Sequence, residues 1–102
     1  MPLNIYYLAK AREDLEAILD FIAQDNLHRA QNYLQFLQIS IVKLADFPKL
    51  GVKCKRKHIR RNCRVLIIEE YLVFYQIDET SQNIKIGRVL HRSVNYQNRK
   101  IF

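Results

Sequence analysis

YLVFYQIDETSQNIKIGRVLHR, residues 71–92, decides the fold. Its first seven residues are almost all aromatic or aliphatic, the composition of a buried strand. Residues 78–83, DETSQN, are polar and rich in turn formers. Residues 83–91 return as a second strand, with Ile84 and Ile86 on one face and Lys85 and Gly87 on the other. The stretch is expected to form a β-hairpin. Its far end carries Arg88, His91, Arg92 and, a little beyond, Tyr96. A rigid apolar support thus delivers basic and aromatic groups to one end.

Upstream, residues 63–69, CRVLIIE, predict another strand, with Glu69 and Glu70 as a tight turn into Tyr71. Residues 53–64, KCKRKHIRRNCR, hold seven basic residues and no acid. The first part is too charged for a central strand and reads as an exposed loop or sheet edge, where lysines also discourage edge-to-edge association. Pro48 and Gly51 end the preceding element, since proline cannot continue a helix and glycine permits a left-handed turn.

Before that, the apolar period changes. Ala11, Leu15, Ile18, Leu19 and Ile22 recur at helical spacing, as do Ala30, Leu34, Leu37, Ile41 and Leu44. These stripes predict helices over about residues 10–24 and 28–45, broken at Asp25 and Asn26. Glu13, Asp14 and Glu16 are expected in the first turns, where acids suit the helix dipole. Residues 3–8 read as a first strand. Residues 93–102 show no period and are expected to order only with a partner. The reading is one α+β domain, residues 1–102, in the order β-α-α-β-β-β. An N-terminal strand and a helix hairpin pack on one face of a mostly antiparallel sheet. Leu15, Ile18, Leu37, Ile41, Val73 and Phe74 are expected in one core.

At 102 residues and 49% hydrophobic content the chain supports one modest core. No run of about 18 apolar residues marks a membrane span, and residues 1–16 lack the pattern of a secretion signal. A cytoplasmic location is expected. Cys54 and Cys63, with eight residues between them, suggest neither zinc nor a redox dithiol, and two free thiols are expected. No metal and no cofactor is expected. Charge is segregated: residues 1–46 carry net −2 and residues 47–102 net +9. That asymmetry points to a polyanionic or acidic partner for the basic half.

The stretches FYQID and IKIGRVLHRSVNY, joined by a short turn, resemble the C-terminal half of the RelE/ParE superfamily of bacterial toxins, whose second strand ends in a pattern like I-x-R-V-L-H. The helix pattern A-x-x-D-L-x-x-I, here Ala11, Asp14, Leu15 and Ile18, and the P-x-x-G of Pro48 to Gly51 are similar too. The ending RVLHRSVNY and the long helices look closer to the ParE-like branch. The resemblance implies the toxin of a type II toxin–antitoxin pair, of the plasmid-stabilisation kind. It implies neutralisation by an acidic antitoxin in a hetero-oligomer, with DNA gyrase as target and no enzymatic activity.

The RelE-like alternative implies a metal-independent endonuclease that cuts mRNA in the ribosome. A base takes the ribose 2′-hydroxyl proton, arginines stabilise the phosphorane and an acid protonates the leaving oxygen. For that chemistry Arg64, Arg88, His91, Arg92 and Tyr96 are expected to meet on the sheet face. His91 would be the base or acid, because histidine titrates near cellular pH. Arg64 and Arg88 would hold phosphate through their guanidinium forks, and Tyr96 would stack on a base. The same residues serve target binding in the ParE-like reading. Lys53, Lys55, Arg56, Lys57, Arg60, Arg61, Arg99 and Lys100 form the expected basic binding face. A third alternative is a non-toxic nucleic-acid-binding module, although residues 1–46, which include both helices, hold six of the ten acids and no basic recognition helix is present.

Overall fold

The structure is a computed structural model that describes residues 2–54, 63–96 and 99–102. Strand β1 (Asn4–Tyr7) leads directly into helix α1 (Ala9–Ala23), a short turn and helix α2 (Leu27–Val42), which tightens into one 3₁₀ turn at Lys43–Ala45. Strands β2 (Val52–Lys53), β3 (Cys63–Ile68), β4 (Tyr71–Asp78) and β5 (Asn83–His91) follow. They form one sheet in the order β1-β5-β4-β3-β2. All pairs are antiparallel except β1 with β5, which run parallel. This is the expected α+β order, with β2 as a two-residue edge strand at the start of the basic stretch. Lys55, Arg56, Lys57, Arg60 and Arg61 lie outside the described residues.

Local chemistry places the elements. Asn26 caps α2, its side-chain oxygen accepting from the Arg29 amide at 3.0 Å. α1 starts one residue after β1 with no capping side chain. Its first turn therefore holds no acid. Glu13, Asp14 and Glu16 lie beyond it, and the expected dipole role is not the one they fill.

Side chains alternate across a strand, and the β4 sequence is apolar at nearly every position. Both faces of the sheet are accordingly covered. On one face, Ala11, Leu15 and Ile18 of α1 and Leu37, Ile41 and Leu44 of the α2 region close over Ile68, Val73, Tyr75, Ile84, Ile86 and Val89. On the other, Cys63, Phe74, Leu90 and Ile101 form a second cluster with Tyr96 and Phe102. Two expectations are corrected here. Phe74 does not share the helix-side core, because its neighbours Val73 and Tyr75 take that face. The described part of the C-terminal tail packs on its own chain: Ile101 is 5% exposed.

Two glycines matter for space. Gly51 has no positive φ, so the left-handed turn expected there is absent. A Cβ at Gly51 would stand 2.6 Å from the Val65 carbonyl oxygen and 2.7 Å from the Tyr75 hydroxyl. Between Phe74↔Arg88 and Tyr75↔Ile86 the register slips by one residue, leaving Gly87 as a β-bulge. A Cβ there would stand 2.5 Å from the Ile101 carbonyl oxygen and 2.6 Å from the Phe102 ring. Gly87 is the seat of the tail.

Candidate functional site

β1 runs beside β5 only as far as Ile86, whose carbonyl accepts from the Leu8 amide at 2.9 Å. The chain then turns away into α1, and β5 beyond Ile86 loses its strand partner on that side. Asp14 fills the gap. Its Oδ2 accepts from the Val89 amide at 2.9 Å, replacing a missing ladder bond. The same carboxylate grips Arg88 with two bonds, Nε to Oδ2 at 2.8 Å and Nη2 to Oδ1 at 2.9 Å. The two side chains are only 12% and 14% exposed. The hydrogen bonds to Asp14 raise the Arg88 pKa further above its ordinary value. This bidentate pair is mostly withdrawn from water, and its geometry is that of a strong charge-assisted bond. It fixes where α1 lies against the sheet.

At the end of β5, His91 pairs across the ladder with Tyr71 and meets its ring edge-on, centroids 5.4 Å apart. The Ser93 amide donates to His91 Nδ1 at 3.1 Å, and the Ser93 hydroxyl lies 2.7 Å from the same nitrogen. Accepting from an amide requires an unprotonated Nδ1, so the neutral ring carries its proton on Nε2. Arg92 pairs with Glu70 at 2.8 Å, with both side chains more than half exposed. His91, Glu70 and Tyr71 line one side of an open cleft of about 620 Å³; Phe21, Ile22, Arg29 and Tyr33 line the other. Tyr33 stands 6.0 Å from Tyr71, ring to ring. Burial, a hydrogen bond with Glu69 and the nearby Glu70 charge push its phenol up to about 12. Composition gave no sign of this cleft, because its walls come from four separate segments.

Arg64 lies elsewhere. It stands opposite Tyr75 on β4, while His91 stands opposite Tyr71. Four residues of strand separate these rungs, about 13 Å along the strand axis. The Arg64 guanidinium donates to the Gly51 carbonyl at 2.7 Å and toward that of Lys49 at 3.4 Å. The Tyr75 hydroxyl completes the anchor, donating to the Pro48 carbonyl at 2.7 Å and accepting from the Gly51 amide at 2.9 Å. Burial raises the Tyr75 pKa. Arg64 and Tyr75 therefore hold the segment that enters β2.

Tyr96 packs on Phe74, centroids 5.1 Å apart, within the tail-side cluster. Lys53, Arg92, Arg99 and Lys100 are exposed. The five residues proposed from sequence are thus distributed: Arg88 against α1, His91 and Arg92 at the β5 end, Arg64 at the other end of the sheet, Tyr96 on the opposite face. Cys54 and Cys63, expected as free thiols, are joined in a disulfide. Among the described residues no three His, Cys, Asp or Glu side chains cluster to hold a metal ion, and no helix is long and apolar enough to cross a membrane.

The fold resembles solved toxin structures. The chromosomal ParDE toxin–antitoxin system from P. aeruginosa matches with TM-score 0.70 at 20% identity, covering 87% of this chain and 95% of that one. The toxin–antitoxin complex RelBE2 from Mycobacterium tuberculosis matches with TM-score 0.63 at 20% identity, over 90% and 100%. A free-state mutant of the E. coli toxin RelE matches with TM-score 0.65 at 10% identity, over 99% and 95%. No curated protein matches the sequence. The family model described as the ParE toxin of the type II toxin–antitoxin system parDE matches residues 5–96, nearly the whole chain from the first strand through Tyr96. This chain belongs to the ParE toxin family.

Proposed function

We propose that this chain is a cytoplasmic toxin that inhibits DNA gyrase by binding, and that an acidic antitoxin neutralises it. The observation that carries the reading is the Arg88–Asp14 clamp. A nuclease of the RelE type needs free guanidinium groups at the point where its base meets the scissile phosphate. Arg88 has the Nε and Nη2 edge of its guanidinium on the Asp14 carboxylate and its Nη1 toward the Lys100 carbonyl, and Arg64 is tied to backbone carbonyls about four rungs from His91. Binding without proton transfer asks only for a shaped positive surface. The exposed cations Lys53, Arg92, Arg99 and Lys100 supply described parts of one, and the sequence adds Lys55, Arg56, Lys57, Arg60 and Arg61. An acidic partner fits the net +9 of residues 47–102, and the ParDE and RelBE2 structures are both toxin–antitoxin assemblies.

The alternative is ribosome-dependent mRNA cleavage. It is favoured by the position of His91, a titratable ring at the edge of an open cleft. Purified protein added to a gyrase supercoiling assay and to a ribosomal translation assay separates the two. Inhibition of supercoiling alone is expected. Inhibition of translation with mRNA cleavage would reverse the choice. Binding to nucleic acid with neither inhibition would favour the third reading, a non-toxic binding module. Within the gyrase reading, His91→Ala should weaken growth arrest only in part, while combined loss of Arg92, Arg99 and Lys100 should weaken it strongly.

A further inference from the structure

We propose that Cys54 and Cys63 are a reversible thiol–disulfide site that clamps the β2–β3 hairpin at the end where residues 55–62 connect its strands. The two residues form the next rung after Lys53↔Arg64. The Cys54 amide donates to the Cys63 carbonyl at 3.0 Å, and the Cα atoms stand 5.4 Å apart, inside the usual span for a disulfide. The clamp sits where little else holds the chain. Gly51 is fixed by Tyr75 and Arg64. Beyond it, β2 has two rungs, both of its residues are exposed, and β3 is its sheet partner. A two-residue ladder is marginal by itself. The covalent bond reinforces the two rungs and the Cys54 amide bond that tie residues 52–54 to the sheet, and it closes a ring around residues 55–62, which carry five Lys or Arg and no acid. Ring closure removes entropy from the open chain, and opening the bond restores it.

The two sulfurs differ in access. Cys63 is 4% exposed beneath Phe74, Leu90 and Ile101, whereas Cys54 is partly exposed. Exchange therefore enters at Cys54. On oxidation, the Cys54 thiolate attacks one sulfur of a small disulfide such as oxidised glutathione and releases one glutathione. The Cys63 thiolate then attacks the mixed disulfide at the Cys54 sulfur and releases the second. Two electrons and two protons pass from the cysteine pair to the small disulfide, giving two small thiols, and excess thiol reverses both steps. The redox poise around the protein then sets whether Cys54, at the end of β2, is covalently held to β3. Nothing in this depends on which target the protein acts on.

The test uses the intact protein. It is equilibrated in glutathione buffers from fully reduced to fully oxidised, alkylated, and weighed by mass spectrometry; amide exchange is followed in parallel. Both cysteines should pass together from alkylated to protected as oxidised glutathione rises, and return on adding excess reduced glutathione. The Cys54 amide should exchange at least about tenfold faster in the reduced protein, with the α2 amides unchanged. A Cys54→Ser, Cys63→Ser double variant should reproduce the reduced pattern; if it does not fold, chemical reduction of the parent gives the same comparison. The proposal is overturned if the thiols remain alkylatable in oxidised glutathione alone, if the bond survives excess reductant in the folded protein, or if Cys54 exchange is the same in both states.

Discussion

The two faces of this sheet are covered in different ways. On one, two long helices lay continuous apolar stripes over β3, β4 and β5. On the other, the cover comes from the last residues of the chain, with Ile101, Phe102 and Tyr96 over Phe74 and Leu90. Helical periodicity announces the first cover, because stripes at 3.6-residue spacing have no use unless something lies beneath them. The tail has no period, and so its role is invisible in its own sequence. The signal was in β4 instead. A strand apolar at consecutive positions is buried on both faces, and YLVFYQI needs a second cover that the helices cannot supply.

The largest expected effect tests the helix side. Leu37 is fully buried there, and Leu37→Ala should cost about 2–5 kcal/mol, read from the urea midpoint. Ile101→Ala removes a similar side chain from the tail side. A terminal segment can open locally without global unfolding, so its cost should be clearly smaller. Equal costs would mean that the tail is as integral a cover as the helices. An unchanged midpoint for Leu37→Ala would sink the packing described here.

The seam between the two faces comes next. Asp14→Ala leaves the mostly buried Arg88 charge without its partner and the Val89 amide without an acceptor. A cost of about 3 kcal/mol is expected, with β5 amides near Val89 losing protection. Asp14→Asn keeps an acceptor and should cost less. This clamp also explains how far the site could be read in advance. The strands, both helices and their order follow from patterns local in sequence. Asp14 and Arg88 are 74 residues apart, and each has a plausible local reading, a helix-terminus acid and a free strand-end cation. Only the early end of β1, which leaves β5 an open edge, brings them together. His91 was legible as a strand-end group. Its cleft was not, since Phe21 and Tyr33 reach it from separate helices.

Smaller still is the contrast between the two space-limited glycines. At Gly51 an added methyl meets β3 backbone and the anchored Tyr75 hydroxyl, neither free to move, and Gly51→Ala should cost about 2–3 kcal/mol. At Gly87 it meets the tail, which can lift away. Gly87→Ala should cost about 1 kcal/mol, with the tyrosine environment at Tyr96 changed and the helix-side core intact. A larger penalty at Gly87 than at Gly51 would contradict the view that the tail is the more yielding cover.

The smallest effect is an alkaline titration on the helix side. Tyr33 is raised from the ordinary phenol value of 10.0 to about 12, first by burial, then by its hydrogen bond with Glu69 and the neighbouring negative charge. A group whose folded pKa is raised favours the folded state wherever its protonated form is the common one. Its contribution is fully present below pH 10 and is lost as pH rises from 10 to about 12, because the unfolded chain releases that proton first. Burial also raises Tyr7, Tyr71 and Tyr75, so a single titration curve superimposes several late phenols. The difference between the parent and Tyr33→Phe isolates one. The spectrophotometric difference curve should show a single phenol ionising near pH 12, and the variant should lose less stability than the parent across that alkaline window. A difference curve centred at the ordinary phenol value would mean that neither partial burial nor Glu69 acts on Tyr33 where it lines the cleft beside His91.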